Sequence, residues 1–131
     1  MSESDALDLG STYVVVGPDH SAVPVQVTPD IFEELDRRFE GFKARMLVAS
    51  FSFESDWPTW EIHPAGDEIV CLLSGDVTMV LQRVAGEEHV RLRQPGSFVI
   101  VPAQTWHTAR TSTRTTMLFL TPGEGTRNKP V

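Results

Sequence analysis

From residue 44 onward the chain is a succession of short β-prone runs with no helix between them. "ARMLVASFSF", "TWEIH", "DEIVCLLS", "DVTMVLQRV", "EHVRLR", "SFVIVP", "WHTART" and "TTMLFLT" are each bounded by Gly, Pro or charged breaks. Strands at a spacing of roughly 8–12 residues, without intervening helices, predict an antiparallel sandwich or barrel. Ahead of them, "TYVVV" (12–16) is β-rich and ends at a Gly-Pro turn. "TPDIFEELDRRF" is the one helical stretch. Thr28 suits the cap, Pro29 the first helical position and Asp30 the positive end of the dipole. Ile31, Phe32, Leu35 and Phe39 then share one face, so this helix is expected to pack on something apolar. Residues 1–10, "MSESDALDLG", read as a frayed tail, and "TPGEGTRNKPV" as an irregular polar close.

The 131 residues suffice for one domain, 1–131, whose core needs no disulfides. A net charge of -7 and a pI near 4.9 argue against nucleic acid or an anionic membrane as partner. Cys71 is the single cysteine, which excludes a disulfide framework and a thiolate zinc site within one chain. No apolar run reaches the roughly 20 residues of a membrane span, and the acidic N-terminus has no signal-peptide character. The expectation is a cytoplasmic protein.

Chemistry concentrates in "WEIHPAGDEIVCLLSGDV", residues 60–77. A strand built for burial carries charges only where they are paired or hold a metal. Alternate strand residues share a face, so Glu61 and His63 point one way and Trp60 and Ile62 the other. After the "PAGD" turn the next strand can return antiparallel, bringing Glu68 beside His63. If the strand bearing His107 is a neighbour, Glu61, His63, Glu68 and His107 can converge inside a barrel. Imidazole nitrogens and carboxylate oxygens suit a divalent first-row metal.

These residues resemble the two cupin motifs, G-x5-H-x-H-x3–4-E-x6-G and G-x5-P-x-G-x2-H-x3-N. His63, Glu68 and Gly75 match the first motif; Gly96, Pro102 and His107 match the second. The resemblance covers about residues 44–121. Ser55 stands for the first glycine, Gln104 for a later one and Thr111 for the final asparagine, while Glu61 replaces the first ligand histidine. The resemblance implies an all-β double-stranded β-helix, the cupin jelly roll also called RmlC-like, with one short N-terminal helix. It further implies a metal in the mouth of the barrel and a homodimer. His63, Glu68 and His107 resemble a two-histidine, one-carboxylate face with open positions. Glu61 is either a fourth ligand or a general base nearby. Two carboxylates cancel the charge of a divalent ion, which favours Mn²⁺ or Fe²⁺, with Ni²⁺ or Zn²⁺ possible.

The other notable residues have plainer readings. His20 and His89 are placed on the surface. Phe51, Phe53, Phe98 and Phe119 are expected to fill core, although one or two can line a pocket. Trp57, in a loop, is a candidate lid, and Trp106 faces away from His107. Parity from Glu68 turns Val70 and Leu72 inward. Trp60, Ile62, Ile69, Cys71 and Leu73 then face outward and need covering by the helix, the N-terminal strand or a second subunit. Cys71 is read as a small buried hydrophobe. No Arg, Lys or Tyr is assigned to the pocket.

The leading functional expectation is a small metal-dependent protein that acts on, or binds, a small organic molecule. Dioxygenase-, isomerase- and lyase-like chemistry all fit, because fold does not choose the reaction. A non-catalytic ligand-binding or sensing module is the alternative. A metal-free sugar-nucleotide epimerase-like protein fits less well, since it needs a basic nucleotide pocket and this chain is acidic.

Overall fold

The structure, a computed structural model, describes residues 3–131. In chain order the strands are β1 (Thr12–Val16), β2 (Ala22–Gln26), β3 (Met46–Phe53), β4 (Thr59–Ile62), β5 (Glu68–Ser74) and β6 (Val77–Arg83). They continue as β7 (Gly86–Leu92), β8 (Phe98–Val101), β9 (His107–Arg110), β10 (Thr115–Pro122) and β11 (Arg127–Pro130). Helix α1 (Ile31–Arg38) lies between β2 and β3, followed by a 3₁₀ turn at Glu40–Phe42. Two antiparallel sheets result, one in the order β2-β1-β3-β10-β5-β8 and the other β11-β4-β9-β6-β7. This is the all-β architecture of a jelly roll with one short helix.

Two apolar clusters hold the sheets. Val70 and Leu72 of β5, Val77, Met79 and Leu81 of β6, and Met117 of β10 are fully buried at every second position. That alternation is what a strand with one face on a core requires. The second cluster joins Tyr13 and Val15 of β1, Leu47 of β3, Ile31 and Leu35 of α1, and Phe42. Helix α1 is therefore fastened over the β1–β3 end of the larger sheet.

Several sequence expectations need correction. The helix starts at Ile31, with Asp30 at the cap and no side-chain capping bond; Thr28 contributes only its carbonyl, to the Ile31 amide at 3.1 Å. Phe32 does not join the packed face and is 64% exposed, whereas Phe39 is half-buried. Of the N-terminal stretch, Met1 and Ser2 lie outside the described residues. Asp8 to Ser11 form an ordered turn, in which the Asp8 carbonyl accepts from the Ser11 and Thr12 amides and its carboxylate from Gly10. The C-terminal stretch is not irregular, because Arg127–Pro130 pairs with β4. Strand β2 was not anticipated; Pro24 sits in it without penalty because β2 is an edge strand.

The expected hairpin between β4 and β5 does not form. These strands lie in different sheets, so Glu68 reaches His63 across the barrel. Trp60 and Ile62 are buried within the single chain, while Ile69 and Leu73 remain exposed. Cys71 is half-buried on that same outer face, not enclosed. Phe98 is 59% exposed on edge strand β8 and fills no core.

Two positions of positive φ bear on the motifs. Gly75, between β5 and β6, has φ +99°, and a Cβ there would lie 2.6 Å from the Arg114 carbonyl oxygen. Only glycine fits both conditions. Gln104 holds φ 59° without being glycine, at the position where the cupin motif has one.

Candidate metal centre

Strand β4 presents Glu61 and, just past its end, His63. It pairs with β9 so that Glu61 lies opposite His107, and β11 on its other side places Asn128 opposite Glu61. Glu68 opens β5 in the facing sheet, paired with Val101. The loop between β8 and β9 is stitched to both ends of this arrangement. The Ala103 amide donates to Asp67 Oδ1 at 2.8 Å, and the Gln104 amide to the His63 carbonyl at 3.1 Å. One backbone bond and one bond to the Asp67 carboxylate thus tie the loop that leads into His107 to His63 and to the start of the Glu68 strand.

Three of the four side chains gather at one point, and the fourth, Glu68, touches the two histidines among them. One donor atom each from Glu61, His63 and His107 lies within 4.8 Å of the others. Glu68 approaches from the opposite wall, its Oε2 3.3 Å from His63 Nε2 and its Oε1 3.1 Å from His107 Nε2. Glu61 Oε2 stands 3.7 Å from His63 Nε2. Short as they are, these approaches are not aligned as hydrogen bonds. Among the described residues, His63 Nε2, Glu68 Oε1 and His107 Nε2 are buried without a hydrogen-bond partner. With both imidazoles neutral these atoms face one another with no proton between them, and burying them so is costly. Atoms aimed at a shared point, and satisfied there by a cation, remove that cost.

The surroundings set the protonation of the donors. His107 Nδ1 lies 3.0 Å from the Thr105 carbonyl, which can only accept, so Nδ1 carries the proton and Nε2 keeps its lone pair in the neutral ring. His63 Nδ1 lies 2.8 Å from Thr126 Oγ1. The Thr121 hydroxyl donates to Glu68 Oε2 at 2.6 Å. Burial pushes the Glu68 carboxyl upward, but the His107 and His63 imidazoles outweigh it and hold the group down at about 2. Burial opposes protonation of His107, yet Glu68 beside it moves the imidazole above its ordinary value. Glu61 is raised, first by burial and then by the Glu68 charge. The donor set is thus two imidazoles and two carboxylates, one carboxylate buried and the other 32% exposed at its side chain. Hard and borderline divalent ions suit such a set.

A cavity of about 600 Å³ adjoins the cluster, with Glu61, His63 and Glu68 in its wall. Helix α1 and Phe42 form one side of it, and Phe51 and Phe119 another. Phe51 thus lines open space instead of filling core. Trp57 is no lid; it packs behind this wall, with ring centroids 6.2 Å from Phe51 and 5.9 Å from Phe119. Tyr13, Thr121, Thr126 and Asn128 also line the cavity or steady the cluster, and the motifs mark none of them. The inward parity of "TYVVV" could have found Tyr13; nothing local marks the other three. His20 and His89 are exposed, and Trp106 turns away from the cluster to meet Lys129, whose Nζ is 4.3 Å from its ring.

No protein-family profile matches the chain, and no curated protein does. Solved structures do. An oxalate oxidase is 18% identical, matched over 62% of this chain and 44% of its own, with a TM-score of 0.53. Hydroquinone 1,2-dioxygenase from Sphingomonas sp. TTNP3, with 4-hydroxybenzoate bound, is 16% identical over 58% of each chain, with a TM-score of 0.50. A cupin superfamily protein from Desulfitobacterium hafniense is 23% identical over 58% of this chain and 65% of its own, with a TM-score of 0.48. Each match takes in less than two thirds of the other protein. Likeness at this level of identity is one of fold, and the fold this chain shares with them is the cupin fold.

Proposed function

We propose that Glu61, His63, Glu68 and His107 hold one divalent transition-metal ion at the mouth of the barrel, and that a small organic molecule enters the adjoining cavity to meet it. The observation that carries this reading is the trio of buried, unpartnered atoms, His63 Nε2, Glu68 Oε1 and His107 Nε2. In this reading Thr105 and Thr126 orient the two imidazoles through Nδ1, leaving each Nε2 free to ligate. Thr121 turns Glu68 so that Oε1 remains available. The more exposed Glu61 is a fourth ligand or, if it swings clear, a base facing the cavity. Mn²⁺ or Fe²⁺ fits the two carboxylates best. An ion here would supply Lewis acidity and open positions for substrate oxygen. Oxidative chemistry on a small molecule is in keeping with the names of the oxidase and dioxygenase that share the fold.

The reading includes a homodimer, supported by the exposed apolar face of β5 and β8, where Ile69, Leu73, Phe98 and Ile100 lie together. The site is tested by elemental analysis of protein purified without a histidine tag, followed by Mn²⁺ and Zn²⁺ titration. A transition metal stoichiometric with the chain is expected, and lost in His63→Ala. Protein that retains no metal and takes up neither ion at micromolar concentration would sink the reading.

A further inference from the structure

The cavity beside the cluster has two unlike walls. Glu61 comes from β4 and His63 from just past its end, with Thr126 and Asn128 beside them on the approach to β11 and on β11 itself. Facing them are β3 and β10, which contribute Phe51 and Phe119. These two rings stack, with centroids 4.3 Å apart and planes at 11°. Phe51 alternates with buried Ala49 and pairs with fully buried Met117, so it sits on the inner face of the barrel, yet it is 38% exposed. Stacked on Phe119 on one side and left that open, an inward-facing ring offers the cavity an aromatic surface. Trp57 and Phe53 brace it from behind, their rings 5.6 Å apart.

Charge narrows the occupant further. Among the described residues no Lys or Arg lines this cavity, while Glu61, Glu68 and Asp36 do. With a divalent ion bound, two of those carboxylates and the ion sum to no net charge, so nothing is left over to hold an anion. The volume of about 600 Å³ lies within the range of sites that enclose a ring-sized ligand, and far exceeds what a two-carbon acid fills.

We infer that this cavity takes an uncharged, flat, aromatic molecule bearing a hydroxyl or similar oxygen donor. Its ring lies on Phe51 and its oxygen points to the Glu61–His63 wall. Small carboxylate anions are poor ligands here. The inference rests on the cavity being the ligand site of the centre proposed above.

The test uses the full chain, as isolated and after Mn²⁺ loading, titrated calorimetrically with phenol, benzoate and cyclohexanol. Phenol is uncharged at neutral pH because its hydroxyl titrates near about 10. Benzoate keeps the ring and adds a charge; cyclohexanol keeps the hydroxyl and removes the aromatic face. Phenol is expected to bind at least roughly tenfold more tightly than benzoate and more tightly than cyclohexanol. Phe51→Leu, which preserves apolar bulk, should weaken phenol by about threefold to tenfold and leave Mn²⁺ affinity unchanged. Phe51→Tyr, which keeps the ring, should retain phenol binding. Benzoate binding as tightly as phenol, or phenol indifferent to Phe51→Leu, overturns the inference. Phenol binding that depends on Phe51 in protein that takes up no Mn²⁺ would uphold the pocket and sink the metal centre. Mn²⁺ uptake without phenol binding would do the reverse.

Discussion

His107 donates its Nδ1 proton to a backbone carbonyl and is wholly buried, so its other nitrogen has one task or none. The pH behaviour of the ion-free protein follows from its contact with Glu68. A carboxyl held down at about 2 instead of 4.5 contributes stability above its ordinary range, and that contribution is lost as pH falls through the lower value. An imidazole raised above 6.5 contributes fully below that value, and its contribution is lost as pH climbs through the raised one. The pair therefore helps the ion-free fold most between 4.5 and 6.5. Metal affinity should run the other way, since a ligating imidazole must first lose its proton. Melting temperatures and Mn²⁺ titrations over about pH 5 to 8 are expected to diverge; parallel trends would remove His107 from the ligand set. Glu61 stands where the cupin pattern has its first ligand histidine. Glu61→Gln should retain metal more weakly, and Glu61→His should shift preference toward Ni²⁺, Cu²⁺ or Zn²⁺. Competition between Mn²⁺ and Zn²⁺ reads both, and no change in either variant would leave Glu61 the role of base. Thr126→Val, which removes the partner of His63 Nδ1, should cost roughly tenfold in metal affinity.

At the scale of strands and turns, a motif glycine that is kept and one that is replaced behave differently. Gly75 answers to two constraints at once, a positive φ and a close approach to Arg114 and Thr115. Gly75→Ala is expected to cost more than about 2 kcal/mol in chemical denaturation. Gln104 already bears the strain of a left-handed conformation. Gln104→Gly should be neutral or stabilising, within about 1 kcal/mol, because relieved strain is offset by glycine's entropy. An alanine at 75 that melts like the parent would undo this account of the β5–β6 turn. Thr111, in the place of the motif's asparagine, donates to the Asp76 carbonyl at 2.6 Å and so ties the β9–β10 turn to the same corner. Alternation made most strands and the inward pair Val70 and Leu72 legible from the residues. Pairing was not legible to the same degree. Glu68 was expected to fold back beside His63, but a strand's period says which face a side chain takes, not which sheet the strand joins. β2 and β11 were missed for a related reason: short, polar or proline-bearing edge strands owe their pairing to their neighbours, not to their own composition.

For the whole molecule, the proposed dimer turns on the outer face of β5 and β8. Ile69 lies opposite Ile100, and Cys71 opposite Phe98, at a sheet edge. Light scattering at micromolar concentration is expected to show a dimer, and Phe98→Glu to give a folded monomer. A monomeric parent protein would leave the patch without this explanation. Strand parity turns Trp60 and Ile62 outward with these residues, yet neighbouring side chains of the chain itself bury them, which pattern alone does not reveal.

The opposition of Glu61 to His107 joins two parts of the chain that are remote in sequence, and Glu68 must then arrive from the other sheet. Contacts of such long range close late, after the entropy of the intervening loop has been lost. A nascent or refolding chain therefore has no centre to offer an ion until it is nearly native. Binding at that stage leaves the rate of folding almost untouched and lowers the rate of escape from the native state. Stopped-flow refolding should be the same with and without Mn²⁺, while unfolding in denaturant slows. What the ion would confer on this barrel is persistence.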